Sequence, residues 1–261
     1  MNDMIYTELI NGMTWSYSRI KCFDDCRYRF FLKYIKHEKE IPQFYSSYGS
    51  FMHKLIELYY KGQLTKEQMK IRFLTDFQKE VQGERPQAGI VKKYIESGIN
   101  YLESFKEFPF NMVSVEEKVE FDIDGIPFVG FIDYIGEKDG EYHIVDNKSR
   151  DLKPRSSRQK PTKKDEELDK MLVQLYLYAA AVKQKFGKFP KTLCFNCFRT
   201  GVFIQEPFVE EKYAEAIEWA KQSIEDIKSD SDFYPWIEYF GCRYICDVRD
   251  ECIYWQEGAG R

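Results

Sequence analysis

No apolar run in this 261-residue chain approaches the roughly 20 residues that a membrane-spanning helix needs. The opening Met1-Asn2-Asp3-Met4 lacks the basic and then apolar pattern of a secretory signal. Both absences point to a cytoplasmic protein with no membrane partner. A Gly-x4-Gly-Lys-Ser/Thr phosphate loop is missing, as is any internal repeat, which argues against an ATP-driven motor within the chain. Positive charge is not in excess either. With 39 Lys and Arg against 43 Asp and Glu the net charge is −4, so any grip on phosphates has to come from local patches.

One such patch is present. Residues 150 to 164 carry Arg150, Lys153, Arg155, Arg158, Lys160, Lys163 and Lys164 against Asp151 as the sole acid. Rich in Ser, Pro and Lys, this stretch reads as a mobile loop that grips phosphates, the alternative being a solvated linker. Hydrophobic residues make up 43% and aromatics 17%, ample for a core. Seven cysteines in a cytosolic chain argue for metal binding or buried thiols rather than disulfides. Cys242, Cys246 and Cys252 crowd the C-terminal end, and Cys194 and Cys197 fall in strand-like sequence as buried free thiols. Cys22 and Cys26, four apart, are expected on one helical face.

Periodicity divides the chain into helices, then strands, then helices and strands together. A helix capped by Ser16 or Ser18 carries Ile20, Phe23, Tyr28, Phe31 and Ile35. Gly49 permits close backbone approach ahead of a second helix, on which His53 and Glu57 share a face. Amphipathic helix continues through 63–107. Strands follow at Val113 to Ile123 and Ile126 to Gly136 around an Asp124-Gly125 turn. Asp165 to Phe186 is the clearest helix, strands return at Thr192 to Arg199 and Val202 to Pro207, and Glu211 to Ile227 is a last amphipathic helix. We read one domain over 1–261, with a helical region at 14–108, a sheet core at 109–207 holding the helix 165–186, and a C-terminal segment at 208–255.

The chemistry gathers at the end of the strand Tyr142 to Ser149, where an apolar run closes on Asp146-Asn147-Lys148. A carboxylate there can hold a divalent cation, and Lys148, on the same face, can orient water or neutralise phosphate charge. The acid-x-Lys pattern recurs at Glu116, Asp151, Glu210 and Asp226, but in polar or helix-like surroundings where a solvated charge pair is the better reading. Asp133 stands in the apolar run Phe128 to Ile135, and a buried carboxylate implies a metal or a basic partner. With a four-residue loop over Glu137 to Gly140, Asp133 falls opposite Ile144 and diagonal to Asp146, about 7 Å away, close enough to share a cation. A register change of one residue would separate them.

The ordered set resembles a known family. Cys26-Arg27-Tyr28, Gly49-x3-His53, Gly130-Phe131-Ile132-Asp133, Asp146-x-Lys148, Gln174-x3-Tyr178 and Cys242-x3-Cys246-x5-Cys252 are similar, over residues 16 to 255, to RecB and AddB nuclease domains and to the CRISPR-associated RecB-type exonucleases of the PD-(D/E)XK superfamily. The resemblance implies an α/β (α+β) restriction-endonuclease-like fold, a central mixed sheet flanked by helices, with an N-terminal helical region and a C-terminal cysteine segment. It implies His53, Asp133 and Asp146 as ligands of Mg2+ or Mn2+, the Asn147 carbonyl as a further one, Lys148 as the catalytic lysine, and Gln174 with Tyr178 in support. It also implies that Cys26, Cys242, Cys246 and Cys252 hold a structural 4Fe-4S cluster, with zinc as the alternative occupant. Such a cluster would clasp the two ends of the chain across more than two hundred residues. The expected activity is exonucleolytic hydrolysis of single-stranded DNA, with Arg150, Lys153, Arg155, Arg158 and Lys160 on the backbone and recombination, phage or CRISPR proteins as partners. Rival readings are a non-catalytic DNA-binding or accessory protein on the same scaffold, and a structural zinc protein.

Overall fold

The computed structural model describes residues 2–256, so Met1 and the tail 257–261 lie outside it. Five helices precede the sheet region's own approach: α1 (Asn2–Asn11), α2 (Tyr17–Asp25), α3 (Arg27–Phe30), α4 (Phe44–Tyr60) and α5 (Lys66–Glu80), then α6 (Ala88–Glu103) leads into it. Ser16, not Ser18, caps α2, accepting from the Arg19 amide. Cys26 stands in extended conformation between α2 and α3, which continues as a π-helical turn over Phe31–Ile35. Cys22 and Cys26 therefore do not share a helical face, and Cys22 is buried, which pushes its thiol up to about 12. Gly49 lies inside α4 instead of ahead of it, and a Cβ there would sit 3.9 Å from Ser149 Oγ, an ordinary contact. What extends α4 back to Phe44 is its apolar face, with Phe44, Tyr48, Phe51, Met52 and Leu55 all buried against α5 and α6.

The sheet runs β1 (Asn111–Ile123), β2 (Ile126–Lys138), β3 (Glu141–Lys148), β4 (Thr192–Cys197) and β5 (Val202–Pro207), in that spatial order. Only β3 and β4 are parallel, joined by the crossover helix α7 (Lys163–Phe186); the other neighbours are antiparallel. This mixed sheet flanked by helices is the fold class expected from the sequence. The principal core lies between the sheet, α2, α7 and α8 (Glu210–Ser229), and includes Ile132, Ile144, Leu172, Leu175, Phe195 and Ile224. Thr162 and Asp165 form a capping box at the start of α7. Asp165 also accepts from the Ser156 amide and hydroxyl, each at 2.7 Å. The loop before α7 is thus fastened at Ser156 and at Leu152, which is buried.

One register expectation is corrected. The β2–β3 hairpin turns through Asp139-Gly140, both at positive φ (54° and 75°), and Lys138 pairs with Glu141. A two-residue Asp-Gly turn matches the right-handed twist of the strands better than the four-residue loop assumed above. The pairing therefore slides by two residues, with Tyr134 opposite Val145, and the next step sets Asp133 directly opposite Asp146. Because the slide is even, both carboxylates stay on one face.

Candidate active site

Three adjacent strands each bring one carboxylate to the same level. The β1–β2 register pairs Val115 with Tyr134 and Glu117 with Ile132, which places Glu116 opposite Asp133, just as Asp146 stands opposite it from β3. Glu116 has φ 49°, a left-handed conformation uncommon outside glycine. From α4, His53 Nδ1 reaches Asp133 Oδ2 at 3.3 Å and Glu116 Oε1 at 3.9 Å. Oxygen and nitrogen atoms of His53, Glu116 and Asp133 all lie within 4.8 Å of one another.

Asp133 is central. Its Oδ2 accepts the Asn147 amide at 2.7 Å, so a side chain takes over where the β2–β3 ladder stops. The Asn147 side chain turns the other way and accepts from Asn196 Nδ2 at 2.7 Å, tying β3 to β4. Lys148 Nζ stands 2.8 Å from Asp146 Oδ2 and donates to Gln174 Oε1 at 2.8 Å, while Gln174 Nε2 donates to the Tyr178 hydroxyl at 3.3 Å. Gln174 and Tyr178 are one turn apart on α7, and the Tyr178 ring lies against Gly130 of β2, where a Cβ would collide with it. Only glycine admits that ring so close to the sheet.

The electrostatics follow from three carboxylates crowded out of water. Burial drives the Asp146 carboxyl well above its usual range, Lys148 opposing and Asp133 reinforcing the rise. Burial, with the charge on Asp133, raises Glu116 too. Burial alone would lower His53, but Asp133 and then Asp146 outweigh it and hold the ring protonated above its normal value. Asp133 is also resisted by burial, yet His53, the Asn147 amide and Lys148 hold it below the ordinary carboxylate range. Asp146 Oδ2 is buried, with the Lys148 ammonium 2.8 Å away. Two buried carboxyls that resist ionisation, Asp146 and Glu116, on either side of an ionised Asp133 fit a hard divalent cation, which would ionise both.

Other residues singled out from the sequence fall in two groups. Cys26, Cys242, Cys246 and Cys252 line one cavity, with α9 (Tyr239–Tyr244) carrying Cys242. Arg29 and Arg249 share that lining with Trp236, Tyr254 and Trp255. Of the basic loop, Arg155 is bound to Asp169 at 2.6 Å and Glu206 at 2.7 Å, and Lys153 to Asp151 at 2.7 Å. Arg150, Arg158 and Lys160 are exposed, and among the described residues no carboxylate pairs with them. Glu57 is occupied by Lys54 and Lys61. Glu116 gives no local sign of its role, since with Lys118 two residues on it reads as a solvated charge pair. Counting back from the Asp124-Gly125 turn would have aligned it with Asp133.

The profile of the PD-(D/E)XK nuclease superfamily matches residues 14–253. The chain belongs to that superfamily. Among curated proteins none matches. This PD-(D/E)XK chain is similar in fold to a crystal structure from Eubacterium rectale provisionally described as an exonuclease, at 16% identity and TM-score 0.50, covering 95% of this chain and 94% of that one. A second structure, the protein SSO0001, is 17% identical and covers 78% of this chain and 95% of that one, at TM-score 0.32. Membership carries the expectation of a DNA substrate and a divalent metal. Among the described residues no helix is long and apolar enough to cross a membrane.

Proposed function

We propose that the protein is a Mg2+- or Mn2+-dependent deoxyribonuclease of the RecB and AddB type, acting as an exonuclease on single-stranded ends. The observation that carries this is the row Glu116, Asp133 and Asp146 across three strands, with His53 above it and Lys148 beside it. Asp133 and Asp146 would hold the cation, with His53, Glu116 and the Asn147 carbonyl completing its shell. When bound it supplies Lewis-acid polarisation of the scissile phosphate and a water of lowered pKa. Lys148, held between Asp146 and Gln174, points its charge where a pentacoordinate phosphate gathers negative charge. Gln174 fixes the Lys148 ammonium, and Tyr178 fixes Gln174. Arg150, Arg158 and Lys160 remain free to meet backbone phosphates; Lys153 and Arg155 would first have to leave their carboxylates.

Incubation of the purified chain with end-labelled single-stranded DNA is expected to give degradation with Mn2+ and none with EDTA, and 5′ against 3′ labels read its polarity. Intact DNA with both metals would sink the nuclease and leave a binding or accessory protein. We propose further that Cys26, Cys242, Cys246 and Cys252 hold a 4Fe-4S cluster. Among the described residues no three of their sulfurs lie within 4.8 Å of one another. A single zinc with bonds of about 2.3 Å would draw them to about 3.8 Å. The wider spacing of the four thiols that line this cavity fits a larger cluster. The purified protein should be brown and absorb broadly near ~400 nm; a colourless protein containing zinc would overturn the cluster.

A further inference from the structure

A groove of about 500 Å³ opens where β3 ends. At that end it is lined by Ser149 and Arg150, the residues after Lys148, and by Arg199, which donates to the Ser149 carbonyl oxygen at 2.8 Å. A cluster of rings adjoins it. Tyr94 and Tyr45 have centres 5.4 Å apart, Tyr45 and Phe240 5.6 Å, and Phe240 and Tyr244 5.5 Å. The Arg199 guanidinium lies over the Tyr94 ring at 5.3 Å. Phe240 is 47% exposed, and none of these rings is fully covered. A second hollow of about 300 Å³ continues the first, sharing Arg150 and Ile245 with it and carrying Trp236, which is 73% exposed.

Charge decides what the groove is for. Lys164 is neutralised by Glu167 at 3.0 Å, and Asp151 by Lys153 at 2.7 Å. Among the described residues Arg150 and Arg199 have no carboxylate within 4.0 Å, so the two unpaired cations of the groove sit at its catalytic end. Partly exposed rings beside unpaired guanidiniums serve unstacked bases and their phosphates, whatever the sequence. A duplex keeps its base faces stacked inside and would leave the rings without partners. An apolar peptide would leave both arginines without anions.

We propose that this groove holds a single-stranded polynucleotide running from the catalytic centre, its phosphates on Arg150 and Arg199 and its bases on Tyr45, Phe240 and Tyr244. This rests on the nuclease reading and deepens it. Phe240 and Tyr244 belong to α9, the helix that carries Cys242, so the cysteine segment is one wall of the substrate track.

The test titrates the full chain, as purified and in EDTA, with a labelled oligothymidylate and with the same strand in a duplex, read by fluorescence anisotropy. Single-strand affinity should fall about tenfold in Phe240→Leu, which keeps apolar bulk but loses the ring. Phe240→Trp should bind within about twofold of wild type. Arg199→Gln should weaken binding and reduce the salt dependence by about one phosphate contact. Phe240→Leu binding the single strand as wild type does, or losing single strand and duplex equally, overturns the proposal. Cleavage with Mn2+ is assayed on the same preparations. Ring-dependent binding without cleavage removes the nuclease reading and keeps the groove; cleavage with ring-independent binding removes the groove and keeps the nuclease.

Discussion

Asp133→Asn is expected to lower the DNA-cleaving rate about a thousandfold or more while the protein remains folded. The asparagine keeps an oxygen where Asp133 Oδ2 accepts the Asn147 amide at 2.7 Å, so the junction of β2 and β3 survives. What it removes is the one carboxylate of the row that its neighbours hold ionised, and with it the charge opposite His53. The pull that raises His53 weakens, and a cation loses its central ligand. Steady-state cleavage with Mn2+ and a thermal melt separate the two effects. A melt lowered in step with activity would make Asp133 a structural residue, and an unchanged rate would remove it from the site.

The second large effect concerns the cysteine segment. Asp247 follows Cys246 and binds Arg29 of α3 at 2.8 Å and Lys33 of the π-helical turn at 2.5 Å, all three side chains less than one fifth exposed. Asp247→Ala leaves the largely buried Arg29 without a counter-charge and Lys33 with Glu40 alone, at a cost of about 2–4 kcal/mol, and should lower Tm by about 5–10 °C at neutral pH. Burial resists ionisation of Asp247, but Arg29 and then Lys33 hold its pKa down to about 2. A carboxyl lowered by folding stabilises the protein above its unfolded value near 3.9, and that contribution is lost as pH falls through about 2. The gap between wild type and Asp247→Asn should therefore narrow from pH 4 toward pH 2. Coincident melts of wild type and Asp247→Ala at neutral pH would show that this contact does not fasten the segment. With the melt lowered as expected, the cluster inferred from the four thiols shares its clasping role with these ion pairs and with the Glu84 pairs to Arg243 and Arg249, which also tie the C-terminal segment to residues far earlier in the chain.

The sequence shows Asp146 and Lys148 because opposite charges rarely close an apolar strand, and Asp133 because a carboxylate stands alone among apolar neighbours. Local contrast of that kind is absent at Glu116, whose neighbours Ser114, Glu117 and Lys118 are polar. Its place in the site comes from pairing with a strand beyond a turn. Arg199 was hidden for the same reason, since only the parallel partnership of β3 and β4 brings it to Ser149. Cys22 and Cys26 misled because spacing of four speaks of one face only if the helix is unbroken, and it breaks at Cys26. The basic loop looked free because its partners, Asp169 and Glu206, lie beyond it in the sequence.

Both hairpins beside the site close with Asp-Gly, at 124–125 and 139–140, and each leaves a fixed count of residues between its turn and the carboxylate it aligns. Exposed turns usually tolerate changes of length. Here one extra residue in either turn would point a carboxylate into the opposite layer, and two would slide it out of line with its neighbours. These turns act as rulers, and the line of the three carboxylates is gauged from both ends of β2 at once.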